Sequence, residues 1–237
     1  MDEASQHSIK GICMSHKVKF FAALSIAMPI AASAQFIKWD DINTKSPVSS
    51  ITPIFSQLLI TPIPRGFQMA FANASGTSYI HELVPTGENV NQWTQMLTVT
   101  GEKDAALNPE LTPPKMAGLM AAGFHNSCPN AFGSYVFPTP HQINGYDSIS
   151  VILSCGSSSQ DTPPKGTSET ALITIIKGTK DYYTVQWAER GTPSSTPIRI
   201  DLPKWSARLA QQVKVIKLCT AVAGEKAPYP SCINSIK

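Results

Sequence analysis

Two periods run through the hydrophobic positions of this chain. In "TSYIHELV" (77–84) Tyr79, His81 and Leu83 alternate with Ile80, Glu82 and Val84, the period of 2 expected of a β-strand. The same period marks "FQMAFAN" (67–73), "TQMLTVTG" (94–101), "GSYVFP" (133–138) and "SISVILSC" (148–155), then "ETALITIIKG" (169–178) and "TKDYYTVQWAERG" (179–191). Asn and Gly in "NASG" (73–76) and the turn Gly178-Thr179-Lys180-Asp181 close two of these runs into hairpins. The helical period appears twice. Met116, Leu119, Met120 and Phe124 follow a Thr112 N-cap and Pro113 and run to Cys128 before Pro129; Trp205, Leu209, Val213 and Ile216 follow Pro203 in a helix expected to reach Cys219.

The order strand, strand, strand, helix, four strands, helix predicts an α+β domain over residues 67–237. Its antiparallel sheet holds six to seven strands and carries two main helices. Residues 35–66 read as a Pro-rich lead-in, with Pro47, Pro53, Pro62 and Pro64 around the apolar stretch Phe55–Ile60, expected to be a helical turn or two.

The N-terminal pattern bears on compartment. Lys17 and Lys19 precede an apolar run, Phe20–Ala31, and Ala32-Ser33-Ala34 follows, the three parts of a secretory signal peptide. The run is shorter than the roughly 20 residues a membrane span needs. Residues 1–34 are therefore expected to be a signal peptide cleaved after Ala34, with 1–13 as an upstream extension and Met14 as an alternative start. The product would be periplasmic or secreted, with no stable membrane insertion after cleavage. Four cysteines follow, Cys128, Cys155, Cys219 and Cys232, an even count that reads as disulfides in an exported protein. Of three connectivities, Cys128–Cys155 and Cys219–Cys232 are favoured. The first joins a strand end to the preceding helix; the second closes a short loop with Gly224, Pro228 and Pro230. Each would contribute about 3 kcal/mol by loop closure. A zinc site on Cys128, His125 and His141 lacks the C-x-x-C or H-x-x-x-H pair such sites use.

Removing residues 1–34 takes away three lysines and two acids, so the formal charge of +3 becomes +2. The remaining Lys and Arg are spread thinly, which argues against a nucleic-acid surface. G-x-S-x-G, P-loop, G-x-G-x-x-G, H-E-x-x-H and S-x-x-K are all missing, and no cofactor is implied. "NAS" at Asn73 matches a glycosylation triplet, a short pattern that recurs by chance.

The most distinctive stretch is "YIHELVPTGENVNQWTQMLTVTG" (79–101). One reading makes it a strand, a Pro85-Thr86-Gly87 turn and a crossover plugged by Val90 and Trp93. The other places His81 and Trp93 in a pocket with Glu82 or Glu88 as acid or base, although neighbours on a strand face opposite sides. Its positions Glu82, Val84, Pro85, Gly87, Glu88, Trp93, Thr94 and Met96 resemble a segment of uncharacterised exported bacterial proteins. The element order resembles the PsbP/Mog1-type sandwich. That resemblance implies a binding or assembly module and transfers no catalytic residue. The expected function is thus a non-catalytic module of the cell envelope that takes an envelope protein or a small ligand. Its binding surface would include His81, Trp93, His141 and the loops 102–112, 139–147 and 156–168. A periplasmic hydrolase with an unrecognised site is the alternative.

Overall fold

The structure, a computed structural model, describes residues 36–37, 48–138, 141–157 and 167–234; the expected signal peptide lies outside them. In chain order the elements are β1 (Phe36–Ile37), β2 (Val48–Ile54), β3 (Gln57–Ile63), β4 (Phe67–Ala74), β5 (Ser78–Pro85), β6 (Gln95–Glu102), α1 (Pro113–Ser127), β7 (Phe132–Val136) and β8 (His141–Ile143). Then come β9 (Tyr146–Cys155), β10 (Ser168–Lys177), β11 (Tyr182–Gly191), α2 (Leu202–Val215), β12 (Lys217–Thr220) and α3 (Pro230–Asn234). Every strand pairing is antiparallel. One eight-stranded sheet runs β4-β5-β6-β11-β10-β9-β7, with β8 beside β9; a four-stranded sheet runs β1-β2-β3-β12. The protein is α+β, as its two periods predict.

The second sheet corrects the reading of residues 55–60. They form a β-hairpin, not a helical turn: Ile54 pairs with Gln57 across the two-residue loop Phe55-Ser56. Both faces of β3 are buried, so its apolar residues run on without a break, a pattern that periodicity cannot assign to helix or strand. Leu59 and Ile63 point into the main core. Leu58 and Ile60 point outward, onto Cys219 and Cys232. The predicted helix to Cys219 is likewise shortened. α2 ends at Val215 and the chain turns at Ile216, so that Leu218 and Cys219 pair with Leu59 and Leu58 in β12.

The layers follow from burial. α1 covers one face of the large sheet through Met116, Ala117, Met120 and Phe124, against Ile149, Val151, Ala171, Ile173 and Ile175. The small sheet and α2 cover the other face, where Leu97, Val99, Leu172, Val185 and Trp187 meet Ile54, Leu59, Trp205 and Ile216. α3 closes the outer side of the small sheet. Both long helices begin on side-chain caps: Thr112 Oγ1 accepts from Lys115 N at 3.4 Å and Asp201 Oδ1 from Lys204 N at 3.1 Å. Gly101 lets the two sheets meet. A Cβ there would lie 2.5 Å from Ile54 Cγ2.

Candidate functional site

The segment between β5 and β6 builds a closed turn. Gly87, at φ 93°, supplies the left-handed residue, and Glu88 N donates to Pro85 O at 3.0 Å. The Glu88 carboxylate then caps the far side of the turn, accepting from Thr94 N at 2.6 Å and from Thr94 Oγ1 at 2.8 Å. Asn89 Oδ1 accepts from Asn91 N at 2.9 Å and Gln92 N at 3.1 Å. Trp93 is driven inward to 6% exposure, with Val84 and Met96. Glu88, Gly87, Trp93 and Thr94 of the distinctive segment therefore have architectural roles.

Trp93 belongs to a half-buried charged group at the α1-side edge. The Arg190 guanidinium lies 3.7 Å from the Trp93 ring centroid, a cation–π contact. Its Nε is 3.9 Å from Glu169 Oε2, the residue opposite it on β10. Its Nη1 is buried without a hydrogen-bond partner among the described residues. Burial lowers the Arg190 pKa, against Glu169 and Glu82, which raise it. Burial raises that of Glu169, against Arg190.

His81 sits on the other side of the sheet. It pairs with Val99, whose side chain faces the small sheet; it is 6% exposed, and its Nε2 has no hydrogen-bond partner among the described residues. Burial pushes its pKa below the usual histidine value. His81 and Trp93 are thus buried on opposite faces and line neither a common pocket nor the surface. The reason is the strand period: His81 and Glu82 must diverge, and Trp93 follows Val84, on the Glu82 side. His141 opens β8 opposite Ser148; its side chain lies outside the described residues.

Two groups escape the sequence reading. Asp181, 1% exposed, ends the β10–β11 turn and ties three segments together. Its Oδ2 accepts from Ser56 Oγ at 2.5 Å, Ser56 N at 3.1 Å and Tyr183 Oη at 3.1 Å, and its Oδ1 from Asp104 N at 2.7 Å. Burial would raise its pKa, but these donors outweigh burial and hold it below the ordinary value. Beneath α2, Glu189 of β11 accepts from Trp187 Nε1 at 3.1 Å and pairs with Lys204 and Arg208 of the helix; the Arg208 guanidinium lies 4.1 Å from the Trp187 ring centroid. Asp181 is readable in sequence only as a turn residue, because its donors are far away in the chain.

The disulfides join Cys128 to Cys155 and Cys219 to Cys232, each with Cα atoms 5.6 Å apart. The first ties the C-terminus of α1 to the end of β9; the second pins α3 to β12. Among the described residues no three His, Cys, Asp or Glu side chains gather as metal ligands.

The loop 103–112 is held firmly over the ends of β10 and β11. Ala106 N donates to Lys180 O at 2.9 Å. Tyr182 Oη donates to Leu111 O at 2.5 Å, and Lys177 Nζ to Leu111 O at 3.1 Å. Burial, helped by Asp147, pushes the Tyr182 pKa up to about 12, so the phenol stays a donor throughout the neutral range. The loop thereby presents Leu107, 58% exposed.

No family model matches the sequence, and no curated protein matches it. Similar solved structures include a Bacteroides thetaiotaomicron protein (TM-score 0.35, 11% identity, 71% of this chain and 47% of that one), so the chain spans about half of that protein. The Saccharomyces cerevisiae Ran-binding protein Mog1p is similar at TM-score 0.41 and 11% identity over 72% of this chain and 95% of that one. LpqN, involved in cell envelope biogenesis of Mycobacterium tuberculosis, is similar at TM-score 0.33 and 8% identity over 69% and 84%. All three scores lie below 0.5, and the fold assignment rests on the strand order of the protein itself.

Proposed function

We propose that this protein is an exported, non-catalytic binding module of the cell envelope that docks a protein partner through the loop 103–112. The observation that carries the reading is Leu107. It is a large apolar side chain held in solvent, 58% exposed, by a loop whose backbone is fastened to β10 and β11. A preorganised apolar tip loses little entropy on binding. The two disulfides support export, since such bonds persist in oxidising compartments.

In-cell cross-linking of the full chain, with a photo-activated residue at the neighbouring exposed position 109 and mass spectrometry of the products, tests the reading. One envelope protein should be captured reproducibly and lost in Leu107→Asp, while the melting temperature holds. The same spectra, taken without reductant, report the mature N-terminus expected at Gln35. Capture of background proteins only would overturn the reading.

A further inference from the structure

The outermost strand of the large sheet, β4, is paired on one side only: β5 lies against it, and among the described residues no strand lies beyond it. Two anchors fix which of its backbone groups face outward. Ser75 N donates to Ser78 O at 2.8 Å, and Thr86 N to Gly66 O at 2.7 Å. Bonded and unbonded pairs alternate along an antiparallel ladder. Counting back from Ser75, Asn73 and Phe71 are bonded to β5, while Ala74 and Ala72 turn their N–H and C=O away from it. Counting on from Gly66, Phe67 and Met69 turn away as well, and Phe67 N accordingly donates to Pro64 O at 3.3 Å, outside the ladder.

β4 lacks most of what blunts such an edge. Its sequence, FQMAFANA, holds no charged residue and no proline, whereas edge strands are kept single by charges, prolines or short length. The other edges are shorter: β7 has five residues, β12 four and β1 two. Met69 is 54% exposed, and Ala72, Asn73 and Ala74 are exposed too. The one protective device is the bulge between Met69 and Phe71, which confines regular pairing to the residues after it.

Those residues are self-complementary. Ala72-Asn73-Ala74 reads the same in both directions. About a two-fold axis through Asn73, Ala72 of one copy lies opposite Ala74 of the other, and each such pair exchanges both of its main-chain bonds. The small methyl side chains let the backbones approach. The two Asn73 amides meet at the axis, where each can donate to the other and accept from it. We infer that β4 is a self-association edge: two copies of this chain pair antiparallel through residues 71–75, centred on Asn73, and join their large sheets into one. Both copies use the same edge, so the contact closes at two. It is short, so the dimer is weak, and it makes no use of Leu107.

Sedimentation of the full, oxidised chain tests this, with variants at Asn73, a position exposed enough to leave folding intact. The average mass should climb toward twice the monomer's between about 10 μM and about 1 mM, the range of a small interface. Asn73→Lys sets two ammonium groups face to face and should weaken dimerisation at least about tenfold, at an unchanged melting temperature. Asn73→Cys should give a disulfide-linked dimer on mild oxidation, because opposed residues of an unbonded pair stand within disulfide reach. Gln68→Cys, exposed on the same strand but off the axis, should not. The inference is overturned if the wild type stays monomeric over that range, if Asn73→Lys dimerises as well as the wild type, or if the two cysteine variants cross-link alike.

Discussion

The two faces of the large sheet are built on different principles, although the same strands make both. Toward α1, β9 and β10 present Ile149, Val151, Leu153, Ala171, Ile173 and Ile175, without a polar atom among their side chains. Toward the small sheet they present Ser148, Ser150, Ile152, Ser154, Leu172, Thr174 and Ile176, all buried. A single helix offers its partner only a stripe of side chains, so the part of this face beneath α1 is held by non-directional apolar burial, and its directional bonds, Tyr182 Oη to Leu111 O and Thr100 Oγ1 with Thr184 Oγ1, lie beside the helix. The opposite face meets a second sheet and is fixed by directional bonds. Ser150 Oγ lies 3.0 Å from Thr174 Oγ1, Tyr183 Oη donates to Ile54 O at 3.1 Å, and Asp181 gathers Ser56, Asp104 and Tyr183. Apolar burial supplies cohesion, the Ser150–Thr174 bond ties β9 to β10 within the large sheet, and the Tyr183 and Asp181 bonds to Ile54 and Ser56 decide how the sheets sit on each other.

The strongest way to break this contrast is to remove its central acceptor. Asp181→Ala leaves three donors unpaired, those of Ser56 N, Ser56 Oγ and Asp104 N, while Tyr183 Oη keeps Ile54 O as its acceptor. We expect a loss of about 3–5 kcal/mol in urea denaturation. The damage should fall on the small sheet, seen as faster hydrogen exchange in residues 48–63 than in β10. Uniform loosening of both faces would show that Asp181 supports the whole core and not the joint between sheets.

His81 allows a smaller test through pH. It is a buried imidazole on the small-sheet side, and burial holds its pKa below the value near 6.5 that an unfolded chain would show. The neutral form is therefore favoured by folding. That contribution is fully present above about pH 6.5 and is lost as pH falls toward the lower folded value, at up to about 1.4 kcal/mol per unit. Glu102 and Glu169, whose values burial raises, bend the profile in the opposite sense. The quantity to measure is thus the stability of wild type minus that of His81→Leu between pH 7 and 5. It should fall with acidification; a flat difference would mean that the imidazole finds a partner once charged.

The large sheet was legible because period 2 survives on strands with at least one apolar face, and α1 and α2 because their caps and stripes are written locally. The small sheet was hidden for a physical reason. β3 is buried on both faces, so "QLLITPI" loses its alternation, and Pro53 and Pro62 suggest a linker to any reading that cannot see the pairing of Pro53 with Leu58. The disulfides were legible from loop length and from the inward face of α1. The Asp181 joint was not, since Ser56 lies 125 residues away in the chain. Gln212 is not legible as an inward residue, because an apolar stripe can be drawn through Val213 in its place; only packing shows that the amide faces in.

The finest test asks whether the small polar residues of β9 and β10 contribute stability or only register. Ser150 and Thr174 are each wholly buried and bond to each other across the strands. Either Ser150→Ala or Thr174→Val breaks this bond inside the core and should cost about 1–3 kcal/mol. Removing both leaves no orphan between them, and the double variant should return to within about 1 kcal/mol of wild type. The coupling, read from a double-mutant cycle in urea, is then of the same size as either single loss. On the other face of β10, Ile173→Ala should cost about 2–5 kcal/mol, with no second substitution to restore it by removing a partner. A Ser150/Thr174 pair that behaved like Ile173, with losses that simply add, would show that both faces of the sheet are held in the same way.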